Sequence, residues 1–361
     1  MEWIECTLGD ILNFRRGYDL PHSEMKGGCV PVAGSNGVIG YHNVATNISP
    51  VITIGRSGNV GTPYIYTNAW AHNTTLYIDD FKGNDPLYLY YLIKTLPLSS
   101  FGGGSAVPTL NRNHIHPLVI KHCPDVKEQR RLAAFLKSFD DKIALINRIN
   151  HNLLNIAQEL FDNEIAGSVS NLTSYHVASL LDIADYLNGL AMQKYPANDR
   201  EVGLPVLKIK ELGQRRCDEN SDRCSESIPD QYIVKDGDII FSWSGTLLVD
   251  FWCGGRCGLN QHLFKVSSGK YPDWFIYFWT KHHLDKFIRI AKDKAVTLGH
   301  IKRGDLGKAE VIIPEESFMK TVDNEIAPLL SEFVERRIEN RRLQILRDSL
   351  LPELMSGKIT C

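Results

Sequence analysis

Two long charged stretches, each following a turn-rich block, constrain this chain more than any other feature. The first, "PDVKEQRRLAAFLKSFDDKIALINRINHNLLNIAQEL", runs from Pro124 to Leu160. Apolar residues recur in it at Leu132, Leu136, Phe139, Ile143 and Ile146, in steps of four and three. Ile149, Leu153, Ile156 and Leu160 continue the pattern after one slip in phase. This spacing puts them on one seam of a helix, heptad-like over about four heptads. Asp125 and Glu128 form a capping-box pattern at its start, and Gly167 is a natural stop. The second stretch, "MKTVDNEIAPLLSEFVERRIENRRLQIL", runs from Met319 to Leu346. Its seam carries Val322, Ile326, Leu329, Phe333 and Leu343, then Leu346, Leu350 and Leu354. Its middle, "ERRIENRR", is polar on most faces, and Pro352 is expected to kink or break the helix at Leu351. Roughly 40 residues at about 1.5 Å each make a rod of about 60 Å. One compact domain cannot bury a stripe of that length. Either another chain covers it in an oligomeric coiled coil, or the two helices cover each other.

A repeat in the chain favours the second solution. "AVPTLNRNHI" (106–115) and "AVTLGHIKRGDL" (295–306) share a core, and both lead into a short strand ending at a proline, Pro124 or Pro314. "VITIGRSGNVG" (51–61) aligns with "DIIFSWSGT" (238–246), and "HNTTLYI" (72–78) with "LNQHLFKV" (259–266). "TLGDI" at Thr7 pairs with "LLDIAD" at Leu180. The order is the same throughout, with offsets of about 170–190 residues. "LYLYYLIKTL" and "WFIYFWTKHHLDKFIRIA" read as amphipathic or buried helices inside the two blocks. The expected fold is mixed α+β with an internal pseudo-twofold. Two β-rich domains in tandem, 1–123 and 167–313, are joined by helices over 124–166 and 314–361 that pair as an antiparallel coiled coil.

Composition sets limits on function. At 361 residues the chain exceeds one compact core. No apolar run approaches the ~18 residues of a membrane span, and the start "MEWIECTLGD" is unlike a signal peptide, so a cytoplasmic protein is expected. The eight cysteines are then expected to be free thiols. Cys217, Cys224, Cys253 and Cys257 could form a zinc site, but their spacing departs from paired C-x2-C, and no metal is expected. The "HIH" run at His114 and His116 would alternate faces on a strand; with His122, these histidines read as surface or DNA-facing groups. The net charge of −2 lacks the basic surplus of a nucleic-acid binder and counts against any DNA-binding reading. Catalytic motifs are missing as well. "SGKI" at Ser356 lacks the upstream glycine of a phosphate loop, and "DPLY" at Asp85 lacks the second proline of an amino-methyltransferase motif.

The run from Pro124 to Leu153, with "EQRRLA" followed by "DDKI", resembles the first conserved helix of the specificity subunit of type I restriction–modification systems. "LLPELMSGKI" (350–359) resembles the second, and "TLGHIKRGDL" (297–306) resembles the close of a target recognition domain. The resemblance covers the whole chain. It departs at "EESFMKTVDNEI", which lacks a counterpart of Glu128 and Gln129. It implies a non-catalytic subunit that reads a bipartite site on double-stranded DNA, one half per recognition domain, with helix length setting the spacer. It implies two methyltransferase subunits as partners, using S-adenosylmethionine on adenine, and restriction subunits using ATP and Mg; this chain would hold no cofactor itself. The rival reading is a coiled-coil adaptor, alone or bound to a methyltransferase, that reads no bases.

If the resemblance holds, base readers belong on the polar loops, with Arg and Lys suited to guanine and Asn and Gln to adenine. The first block offers Arg15, Arg16, Arg56, Ser57, Asn59, Asn111, Arg112, Asn113 and His114. The glycines around Arg56 suit either close approach to phosphate or a plain β-turn. The second block offers Lys208, Lys210, Arg215, Arg216, Trp243, Ser244 and Thr246. It also offers the basic run Lys292, Lys294, His300, Lys302 and Arg303, either a solvated helix face or a phosphate contact. Eight basic residues face eight acidic ones in the first block, and nineteen face eighteen in the second, so the chain alone should hold DNA weakly.

Overall fold

The computed structural model describes residues 3–102, 109–166, 174–198, 201–293 and 299–360. They form two compact units, one of residues 1–142 with 344–361 and one of residues 143–343. The division passes through both long helices.

In the first unit, strands Asn13–Arg16, Thr75–Asp80, Val51–Gly55 and Pro63–Tyr66 lie side by side in that order as an antiparallel sheet. Val51, Ile52, Thr53, Ile54 and Gly55 are all buried, as expected of a central strand covered on both faces. A smaller sheet of Gly37–His42, Val30–Gly34 and Trp70–Ala71 adjoins it. Ile4–Thr7 pairs with Val119–His122, bringing the two ends of the block together. Helix Pro86–Lys94 starts on Asp85, whose carboxylate accepts the Tyr88 N–H at 3.0 Å, and buries Tyr88, Leu89, Tyr91, Leu92 and Ile93.

The second unit repeats this plan. Asp185–Asn188, Leu263–Ser267, Ile239–Ser242 and Leu248–Phe251 form the equivalent sheet in the equivalent order. Tyr175–Ser179 pairs with Glu310–Pro314, and helix Asp273–His282 buries Trp274 through Thr280. Local chemistry repeats too. Asp10 accepts from the Thr7 N–H and hydroxyl at 2.8 and 2.6 Å, and Asp182 does the same for Ser179 at 2.8 and 2.6 Å. Gly17 and Gly189 are the clearest marks of the repeat. A Cβ on either would lie 2.1 or 2.2 Å from the carbonyl oxygen of His72 or Asn260, so only glycine fits. A second sheet built from Arg223–Cys224, Leu204–Leu207, Cys257–Leu259 and Ile233–Val234 completes this unit.

The first long helix spans Val126–Phe161, followed by a π-helical turn at Asp162–Ala166; the second spans Glu316–Met355. They run antiparallel, and each unit contains part of the pair. In the first unit, Leu132, Ala133 and Leu136 share a core with Leu351, Leu354 and Met355. There Arg347 reaches Asp140 at 2.5 Å, and Asp140 also accepts the Tyr91 hydroxyl at 2.6 Å. In the second unit, Ala157, Phe161 and Ile165 share a core with Val322, Ile326, Leu330 and Phe333, and Asn340 donates to Asn147 at 2.7 Å. Phe139, Leu153, Leu329 and Leu343 are half-buried, while Ile143 and Ile146 are buried.

Gln129, fully buried, ties the start of the first long helix to its unit. Its amide accepts the Asp85 N–H at 2.8 Å and donates to Asn84 at 2.7 Å and the Cys123 carbonyl at 2.8 Å. The second long helix lacks this glutamine; within its unit, Asp323 accepts the Trp274 indole N–H at 2.7 Å.

Two expectations require correction, one for the second helix and one for the histidines. The second helix passes through exposed Pro352, and also through Pro328, without a break. A proline there costs about 3 kcal/mol of helix, but Leu351 before it and Leu354 and Met355 after it are held in the core. The polar middle of that helix does not complete an apolar seam. Arg337 pairs with Asp250 at 2.7 Å and Arg341 with Asp236 at 2.7 Å, while Arg336 bridges Glu332 and Glu339. The "HIH" run is not a strand: Arg112–Ile115 is one helical turn, capped by Asn111. Only His114 of the three histidines is exposed. His116 accepts the Phe14 N–H at 3.1 Å and stacks on its ring, and His122 is buried against Tyr88. Gly167, read as the stop of the first long helix, lies outside the described residues.

Among the described residues no helix is long and apolar enough to cross a membrane, and no three His, Cys, Asp or Glu side chains group as a metal would require. The cysteines described are free thiols.

Candidate nucleic-acid interface

In each unit the loop after the third sheet strand meets a second loop beside the first strand. In the first unit Arg56 and Ser57 follow Val51–Gly55. The Leu110 N–H donates to the Arg56 carbonyl at 2.8 Å, and Ser57 bridges to Thr109. Arg112 donates to the Phe14 carbonyl at 3.1 Å, fixing the second loop to the first strand. Arg15 and Arg16 stand exposed on that strand. Together Arg15, Arg16, Arg56, Asn111 and Arg112 line a cleft of about 410 Å³. Burial, and then the adjacent Arg16, pull the Arg56 pKa below its ordinary value. Among the described residues no carboxylate pairs with Arg16 or Arg56.

Four other candidates flank this cleft. Asn113 and His114 are exposed on the helical turn, and Asn113 donates its N–H to the Asn111 side chain at 3.0 Å. Asn59 is exposed and its side chain accepts the Thr62 hydroxyl at 3.1 Å, holding the loop's own shape. Ser57 is half-buried. A neighbouring cleft of about 490 Å³ shares Arg15 and adds Tyr18, Trp70, Tyr77, Asn47 and Asp79. Sequence reasoning missed this aromatic wall, because its members come from four separate segments.

The second unit builds the same junction. The Ile301 N–H donates to the Trp243 carbonyl at 3.1 Å, Ser244 bridges to His300, and Arg303 donates to the Tyr186 carbonyl at 3.2 Å. Trp243 donates its indole N–H to Asn188 at 3.0 Å. Its ring lies 5.9 Å from His262 and 6.3 Å from His300, both exposed. Thr246, Lys302 and Arg303 are exposed around this group. Lys292 is exposed on helix Leu284–Asp293, where Gly299 backs closely onto Ala291. Lys294 lies outside the described residues. Asn188 and His262 were missed; the repeat offset that equates Arg16 with Asn188 could have found the first.

The remaining candidates sit on the added sheet and its helix Ile209–Gln214. Lys208 pairs with Asp222, and Arg215, with a left-handed backbone, pairs with Asp250 at 2.9 Å. Lys210 and Arg216 are exposed. Among the described residues, none of these four bonds to Trp243, Ser244 or His300.

Two β-rich units, each presenting a paired polar loop and each carried on an antiparallel helix pair, define the class. Residues 1–155 match the family model described as the type I restriction modification DNA specificity domain. The chain is 26% identical over 301 residues to the type I restriction enzyme MjaIX specificity subunit of Methanocaldococcus jannaschii, covering 75% of this chain and 68% of that protein. It is 26% identical over 212 residues to the EcoBI specificity subunit of Escherichia coli, covering 56% of this chain and 43% of that one. Its fold matches the crystal structure of a type I restriction–modification S subunit from M. genitalium with TM-score 0.65 at 14% identity, over 98% of this chain and 96% of that one. Each of these comparisons is to a specificity subunit or specificity domain of type I restriction–modification systems, which this chain resembles in sequence over residues 1–155 and in fold over nearly its whole length.

Proposed function

We propose that this chain reads a bipartite site on double-stranded DNA, one half per unit, and scaffolds adenine methyltransferase and restriction subunits. The recognition domains are 1–123 and 167–313, and the helical segments 124–166 and 314–361 set the unread spacer. The chain is non-catalytic; S-adenosylmethionine, ATP and Mg belong to the partner subunits. The observation that carries this reading is the duplicated loop junction, Arg56–Thr109–Arg112 and Trp243–His300–Arg303, built in both units by the same backbone pairing between loops and the same arginine-to-carbonyl bond. A base-reading site needs exposed donors on a rigid frame, and both junctions supply one. An adaptor that reads no bases has no use for the guanidiniums of Arg16 and Arg56, which pair with no carboxylate among the described residues.

Long-read methylation mapping of a genome carrying the complete system tests this. A bipartite methyladenine motif that disappears when this chain is deleted is the expected result. A motif that persists without the chain, or one with a single uninterrupted half, refutes the proposal.

A further inference from the structure

We infer that the two loop junctions contact DNA by different chemistry: Arg56 through its charged fork on a guanine edge, and Trp243 through the face of its ring on a base. This rests on the DNA reading proposed above. The frames of the two junctions are alike. The loop-to-loop bonds are 2.8 and 3.1 Å, and the arginine-to-strand bonds 3.1 and 3.2 Å. The tips differ. Arg56 occupies the place of Trp243, and Arg15 and Arg16 the places of Leu187 and Asn188.

In the first unit, Arg56 is half-buried in the cleft while Arg15 and Arg16 are exposed on the strand. Arg16 and Arg56 line the same cleft, and among the described residues neither pairs with a carboxylate, so the cleft favours a ligand rich in acceptors. A planar fork anchored at the cleft wall matches the O6/N7 acceptor pair of guanine, and the exposed arginines suit the flanking phosphates. In the second unit the sole donor of Trp243 is already used on Asn188, at 3.0 Å. The indole has no hydrogen bond left to offer a base. It can give only apolar or stacking contact, as to a thymine methyl group or a base face, with exposed His262 and His300 beside it.

The test is methylation mapping in cells carrying the complete system, with this chain as wild type, Arg56→Gln, Arg56→Lys, Trp243→Phe or Trp243→Ala. Both arginine variants are expected to lose preference at one guanine of one half-site, on the order of 10-fold, with the other half unchanged. Lysine keeps the charge but not the fork, so its failure to rescue isolates geometry. Trp243→Phe keeps a ring and is expected to preserve the motif, whereas Trp243→Ala relaxes a position in the other half-site. Full rescue of the guanine preference by lysine overturns the role given to the fork. Weakening of all sites with an unchanged motif in the arginine variants marks Arg56 as a phosphate contact and overturns the inference. So does a Trp243→Ala motif identical to wild type, or changes from both residues in one half-site. A wild-type system without any bipartite motif instead removes the proposed DNA reading itself.

Discussion

His116 shows how one side chain can carry structure where its type suggested a contact to DNA. Its ring nitrogen accepts the Phe14 N–H, which requires a neutral imidazole. Burial, then the nearby Arg112 and Lys82, hold its pKa below the ordinary value. The folded chain therefore binds fewer protons here than the unfolded one. The stabilisation is complete above the unfolded value of about 6.5 and is lost as pH falls through the depressed folded value. His116→Gln keeps an acceptor without the titration, so the fall in urea midpoint between about pH 7 and 5 should become shallower. His72, His122 and His283 are also depressed by burial and will keep part of that slope. Arg56 and Trp243 were legible as loop residues from the glycines and turns around them. Their pairing with Leu110 and Ile301 was not, because each pairing joins segments more than fifty residues apart.

At the scale of elements, the helix seams were readable because a 3.6-residue period repeats the same face. The polar middle of the second helix was not, because its partners lie on distant loops and strands. Asp250, on strand Leu248–Phe251, holds both Arg337 and Arg215. Asp250 and Arg337 are 8% and 10% exposed, so Asp250→Ala strands a buried guanidinium and should cost on the order of 3 kcal/mol in chemical denaturation. Arg215 is 63% exposed, and Arg215→Ala should cost no more than about 1 kcal/mol. Asn340 and Asn150 are each 6% exposed, and each has a side-chain oxygen without a partner. Replacing that buried amide by Asn340→Leu should raise the unfolding free energy by on the order of 1 kcal/mol, read as a higher midpoint. A fall in midpoint would mean that the Asn340–Asn147 bond outweighs the buried orphan.

For the whole molecule, the proposed ruler makes a direct prediction. Seven residues inserted in both long helices, in phase with the seams, add about 10 Å of rise. The methylated motif should then gain about three unread base pairs, with both half-sites unchanged. An unchanged spacer would remove helix length as its determinant.

By itself the amino-acid sequence determined the repeat, the two helices and the places of the polar loops. Those features are encoded locally, by turn residues, strand alternation and helical period, and duplication writes each of them twice. Only the tertiary structure decided what the tips of those loops present. It placed Arg56 and Arg16 on one cleft with no carboxylate partner among the described residues, consumed the Trp243 donor on Asn188, and turned Arg337 and Arg341 inward onto Asp250 and Asp236. These are encounters between segments distant in the chain, and charge and hydrogen-bond partners are settled where such segments meet.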